Sequence, residues 1–239
     1  MERFLQAADV TRAAKVFRTL HRRDISRWAL TGGFAIELQI LRRGGRPRLR
    51  ALGDIDFLVA SFDCIPQTLA DDFIFRHVHP HDPPAKTLLQ AIDSAVAVRV
   101  DAFRAYGFEM ERLSTIELAG FPIKIVSLPD LVARNARLSW DLADGQQIHP
   151  KYVQDFLRLL EVVKTEEIED VWPEHRKPHF PENFAEAVRE LRRIIPLRSD
   201  LLVPWDYSTN ENEVCLRCQE TGALRLAPAQ QVFSILGYV

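Results

Sequence analysis

Asp54 and Asp56 sit one residue apart in ALGDIDFLVA, inside an otherwise apolar run. Side chains two apart on a strand project to one face, so these carboxylates stand together while Ile55 and Phe57 turn the other way. Adjacent carboxylates repel, which raises a pKa or demands a cation between them. A hard divalent cation such as Mg²⁺ meets that demand, taking oxygen ligands from a few carboxylates and completing its shell with water and substrate phosphate. Asp101 in VRVDAF is a third acid placed mid-strand among apolar residues. If its strand neighbours the first, three carboxylates converge. Upstream, WALTGGFAIEL reads as a strand, the pair Gly32 and Gly33, and a helix start. Such a turn offers backbone N–H groups and a positive helix end to an anion, with no Cβ in the way. A lone D-x-D marks no more than a polar strand face. A phosphate turn, a D-x-D strand and a later aspartate together make a triphosphate-plus-metal layout.

Other groups have simpler readings. RRGGRPRLR carries Arg42, Arg43, Arg46, Arg48 and Arg50 with no acid, which suits either phosphate contact or a solvated loop. His77, His79 and His81 share a strand face, but without a Cys or carboxylate cluster they read as a polar strand end rather than a zinc site. Cys215 and Cys218 form a C-x-x-C that lacks two further ligands, so free thiols are expected. Trp28, Trp140 and Phe156 read as core.

The elements that must hold these residues follow from periodicity. Asp9 is placed to cap a helix reaching about Arg23, with Val10, Ala13, Phe17 and Leu20 on one face. SRWALTGG predicts a buried strand, FAIELQILRR a helix, DIDFLVA the next strand and CIPQTLADD a short helix. FIFRHVH and AVAVRVDAF read as strands, and STIELAGFPIKIVS as a hairpin turning at Ala119-Gly120. Ser127 and Asp130 form a capping box for LPDLVARNARLSWDLA, and HPKYVQDFLRLLEVV supplies another amphipathic helix. From about Thr165 the composition shifts: PEHRKPHFPE predicts a linker or long loop, and Asn183 caps NFAEAVRELRRII. The last thirty residues suggest two short strands.

The 239 residues suffice for one large domain or a domain with an extension, and 47% hydrophobic with 27% charged residues is ordinary globular composition. A net charge of −2 excludes a global field for nucleic acid or membrane. No apolar run approaches the ~20 residues that span a bilayer. The charged N-terminus lacks the apolar core of a secretory signal, and three cysteines make no disulfide framework, so a cytoplasmic location is expected.

TGGFAIEL, then RALGDIDF, then VDAF resembles the nucleotidyltransferase superfamily typified by DNA polymerase β, with its Gly-Gly or Gly-Ser, D-x-D and later third acid. More narrowly the chain resembles the bacterial AbiEii-like branch, which includes toxins of toxin–antitoxin systems. Arg50, four residues before Asp54, fits that branch, as does IELAGFPIKIVSLPDLVA leading from a hairpin into helices. The likeness covers residues 25 to 163. It departs in a longer gap between Gly33 and Asp54, in Asn135 near the place of a common helical lysine, and in Tyr152 where an acid is common.

The resemblance implies an α+β fold: a small mixed β-sheet core over residues 1–126 with flanking helices, a helical part over 127–164, and an extension over 165–239. It implies transfer of a nucleoside monophosphate from an NTP to an acceptor, releasing pyrophosphate. Asp54 and Asp56 would hold two Mg²⁺ ions about 3.5–4 Å apart. Asp101 would ligand one ion and orient or deprotonate the acceptor hydroxyl. Gly32 and Gly33 would admit the β- and γ-phosphates, with Arg50, Lys151 and Asp155 handling the nucleotide. RNA, a protein hydroxyl or a small molecule remain open as acceptor, and an antitoxin as partner. A degenerate member that binds nucleotide without transfer is the alternative. A D-x-D glycosyltransferase fits poorly, because only 53 residues precede the motif.

Overall fold

Seven strands form: β1 (Trp28–Thr31), β2 (Asp54–Val59), β3 (Phe73–Val78), β4 (Leu88–Asp93), β5 (Arg99–Arg104), β6 (Ser114–Leu118) and β7 (Phe121–Ile125). The computed structural model describes residues 1–61, 64–78 and 88–204. His79, His81, Cys215 and Cys218 lie outside the described residues. The strands form one mixed sheet in the order β3-β4-β5-β2-β1-β7-β6. Pairs β1/β7 and β2/β5 are parallel and the remaining four antiparallel. The fold is therefore the α+β class with a mixed sheet and flanking helices.

Two units divide the chain. The first comprises Met1–Ala35 and Pro47–Val126, and contains the whole sheet. Helix α1 (Ala7–Arg22) buries Ala13, Val16, Phe17 and Leu20. Phe17 meets Phe57 edge-on at 6.3 Å and Phe34 at 5.4 Å, and Trp28 meets Phe57 at 5.5 Å. This aromatic layer occupies the face carrying Ile55 and Phe57, as the period-two alternation predicts, and leaves the opposite face to Asp54 and Asp56. Asp9 does not cap α1. The helix begins two residues earlier, and the Asp9 carboxylate instead accepts from Arg12 Nη1 at 3.0 Å and the Leu52 N–H at 3.1 Å.

The expected strand AVAVRVDAF begins later than its composition suggests. Asp93 accepts hydrogen bonds from the N–H groups of Ala95 (2.9 Å) and Val96 (3.0 Å), which folds residues 94–97 into a turn. That turn separates β5 from β4, a strand that LLQAID did not announce. The β6–β7 hairpin turns at Ala119 and Gly120 as expected, with φ of 55° and 84°. Positive φ at both positions is the two-residue turn that favours Asn-Gly. Ala119→Asn is therefore expected to stabilise the protein by about 1 kcal/mol, seen as a raised denaturant midpoint with unchanged m.

The second unit comprises Ile36–Arg46 and residues 127–204. Its helices are the greater part of α2 (Gly32–Arg42), α3 (Leu128–Ser139), α4 (Pro150–Leu160), α5 (Trp172–His175) and α6 (Phe184–Leu197). Ser127 caps α3: its Oγ accepts from the Asp130 N–H at 3.2 Å and donates to Asp130 Oδ2 at 2.6 Å. Asn183 Oδ1 accepts from the Glu186 N–H at 2.8 Å and caps α6. The stretch expected as a linker or long loop, residues 173–182, is irregular from Arg176 onward and buries only His175 and Phe180, packing beside the helix residue that precedes it. Trp172 is fully buried, packs on Phe184 at 5.3 Å and donates from Nε1 to the Pro181 carbonyl at 2.9 Å. Among the described residues no helix is long and apolar enough to cross a membrane.

Candidate active site

The carboxylate face is fixed by register. Asp56 pairs with Asp101 across β2/β5 and with Thr31 across β2/β1, and Asp101 pairs with Gln90 across β5/β4. Directly opposed residues share a face, so Gln90, Asp101, Asp56 and Thr31 form a polar row across four strands. Asp54 and Arg99 form the next pair along. Ligand oxygens of Asp54, Asp56 and Asp101 all lie within 4.8 Å of one another, with Asp101 buried and the other two half-buried. Thr31 Oγ1 and Gln90 Oε1 are buried with no hydrogen-bond partner among the described residues.

Arg99 is the residue that sequence reasoning missed. Its Nη2 donates to Asp54 Oδ2, and its Nε lies 3.2 Å from Asp101 Oδ1, an ion-pair contact without hydrogen-bond geometry. The signal was present in R-V-D, since residues two apart on a strand share a face. Thr31 and Gln90 were legible only through pairing. The donor set fits a hard divalent cation: three carboxylates, all oxygen, gathered on one face.

Gly32 opens helix α2 (Gly32–Arg42) directly after β1 with φ of 63°. A Cβ there would lie 2.6 Å from Asp56 Cγ, so only glycine lets the turn close against this carboxylate. A Cβ at Gly33 would stand 2.7 Å from Arg50 Nη1. Arg50 itself is anchored by its N–H donating to the Phe4 carbonyl at 2.8 Å. The helix start and an arginine thus flank one turn, a combination suited to an anion. Of the other arginines in that run, Arg43 is engaged structurally, its Nη2 2.6 Å from Glu167.

Lys151 and Asp155 lie on α4, in the second unit. Lys151 Nζ sits 5.2 Å from the centroid of the Tyr152 ring. Asp155 is buried, 3.7 Å from Arg158, whose guanidinium forks onto Glu37 at 2.6 and 2.8 Å. Those hydrogen bonds to Glu37 raise the Arg158 pKa despite burial. Asn135 is buried, with Nδ2 donating to the Leu131 carbonyl at 2.8 Å.

His149 caps α4 by accepting the Lys151 N–H on Nδ1 at 3.0 Å. Burial, and then the charge of Lys151, hold its imidazole below the usual range. The cap's contribution is thus complete above the unfolded value of about 6.5 and is lost as pH falls through the lower folded value. His149→Asn keeps a capping acceptor that does not titrate. Melting curves should show a smaller loss of Tm for the variant than for the native protein between about pH 7.5 and 5.

No protein-family model matches the sequence, and no curated protein matches it. Solved structures do resemble the fold. An antigenic nucleotidyltransferase-like protein from Paracoccidioides brasiliensis is 14% identical, with 87% of this chain and 99% of that one covered and a TM-score of 0.48. The antibiotic-resistance factor ANT(2'')-Ia is 13% identical, with 78% and 96% covered and a TM-score of 0.47. JHP933 from Helicobacter pylori is 12% identical, with 90% and 99% covered and a TM-score of 0.40.

Proposed function

We propose that this protein is a Mg²⁺-dependent nucleotidyltransferase that moves a nucleoside monophosphate from an NTP to an acceptor hydroxyl. The observation that carries the reading is the convergence of Asp54, Asp56 and Asp101 beside a glycine turn held against Asp56. The divalent ions, when bound, neutralise the developing charge on the attacking and leaving oxygens. Asp54, Asp56 and Asp101 hold them. The Gly32–Gly33 turn receives the β- and γ-phosphates on backbone N–H groups, and Arg50 adds a guanidinium fork beside it. Asp101 accepts the proton of the acceptor hydroxyl. The acceptor oxygen bonds to the α-phosphorus, the bond from that phosphorus to the α–β bridging oxygen breaks, and pyrophosphate leaves. Lys151 and Asp155 belong to this reading on the strength of the sequence resemblance, as do the AbiEii-like branch and an antitoxin partner.

Paired reactions with [α-³²P] and [γ-³²P] NTP, Mg²⁺ and cellular RNA, protein or small-molecule fractions test the chemistry. Only the α label should enter an acceptor. Transfer of the γ label would make the protein a kinase and end the proposal. The buried Asn135, hydrogen-bonded within its own helix near the place where the AbiEii-like branch often has lysine, favours a second reading, nucleotide binding without transfer. Mg²⁺-dependent NTP binding with no labelled acceptor would select it.

A further inference from the structure

We infer that Arg99 is the built-in counter-ion of the three-carboxylate cradle, and that divalent metal enters by taking over the charge this guanidinium supplies. The inference rests on the metal-site reading above and goes beyond it.

Three carboxylates within 4.8 Å carry three negative charges on a face where Asp101 is only 4% exposed. Left alone, that arrangement would protonate or spread apart. One guanidinium prevents both. Arg99 stands opposite Asp54 in the β2/β5 pairing and two residues before Asp101 on its own strand, so register alone delivers it to the two outer carboxylates. Its side chain is 15% exposed, with Nη2 on Asp54 and Nε 3.2 Å from Asp101. A planar guanidinium suits this position because its charge spreads from the Nη2 that donates to Asp54 to the Nε lying beside Asp101, whereas an ammonium is a single point of charge. Arg99 and a divalent ion thus compete for the same oxygens. While Arg99 holds Asp54 and Asp101, the cradle keeps its geometry with metal absent, and the metal affinity is lower than three carboxylates alone would give. Once metal takes those oxygens, the freed guanidinium is a cation on the carboxylate face. Anionic substrate phosphate is the natural partner for it, so metal and nucleotide loading become mutually reinforcing.

Mn²⁺ binding followed by electron paramagnetic resonance tests this without any catalytic readout. Arg99→Gln should bind Mn²⁺ at least tenfold more tightly than the native protein, since an opposing charge at this range shifts a carboxylate's preference by roughly that factor or more. With chelator present the variant should melt below the native protein, and Mn²⁺ should raise its Tm by more. A Gln variant that refolds only when Mn²⁺ is supplied would be the same result in a stronger form. Arg99→Lys, which keeps the charge but loses the fork, should fold with chelator present and bind Mn²⁺ with intermediate affinity. Asp54→Asn separates the layers of the argument. If it abolishes Mn²⁺ binding while Arg99→Gln and Arg99→Lys bind no more tightly than the native protein, the counter-ion role is wrong and the metal site stands. If Asp54→Asn leaves Mn²⁺ binding intact, the metal site itself is wrong.

Discussion

Asp54→Asn and Asp56→Asn should each lower nucleotidyl transfer on the order of 10³-fold, with the fold preserved. The magnitude follows from the several kcal/mol of transition-state charge stabilisation that a divalent ion supplies, at about 1.4 kcal/mol for each factor of ten. Asn keeps the shape of Asp but gives up a charge, so packing on Ile55 and Phe57 behind the strand is untouched. Asp54 bears the direct donor contact from Arg99, so Asp54→Asn removes a partner from that ion pair and, with metal absent, should melt below the native protein. Rates measured at saturating NTP, alongside melting curves in chelator, check both statements.

Gly32→Ala should damage stability and site together. The residue has φ of 63°, where a non-glycine residue costs about 1–3 kcal/mol, and its Cβ would press on the Asp56 carboxylate. Strain and overpacking together should cost about 2–4 kcal/mol, a Tm loss of roughly 5–15 °C for a chain of this size. Because the clash falls on Asp56, Mn²⁺ affinity should drop as well. Gly33→Ala is the informative contrast. Gly33 does not have positive φ, and its Cβ would meet the far end of the Arg50 side chain, which can shift. Its Tm should change by no more than about 2 °C, while NTP affinity weakens as Arg50 is displaced. Equal Tm losses in the two variants would show that the Gly32 conformation is not the constraint described.

The alternation D-I-D-F was enough to place Asp54 and Asp56 on one face and Ile55 and Phe57 on the other, because period two is a local property of a strand. The likeness of VRVDAF to that strand pointed to Asp101. Which strand lies beside which is not local. β4 was hidden because LLQAID has no clean alternation and because the Asp93 turn consumes residues that look like strand. Without β4 the buried amide of Gln90 had no address, and Thr31 looked like the last residue of an ordinary buried strand. Arg99 was readable in principle from its spacing to Asp101, but a cation among apolar residues gains meaning only when Asp54 is known to stand opposite. The proline-rich segment read correctly as irregular chain from Arg176, but its packing was not legible. Composition signals a loop when prolines and charges dominate, whereas the burial of Trp172 decides where that loop must pack.

The most direct test of the account is crystallographic. Crystals grown with Mn²⁺ and a non-hydrolysable NTP analogue should give an anomalous peak about 2.1 Å from carboxylate oxygens of Asp54, Asp56 and Asp101, with phosphate on the Gly32–Gly33 turn. Nucleotide and Mn²⁺ bound elsewhere, with Arg99 still bridging Asp54 and Asp101, would contradict it.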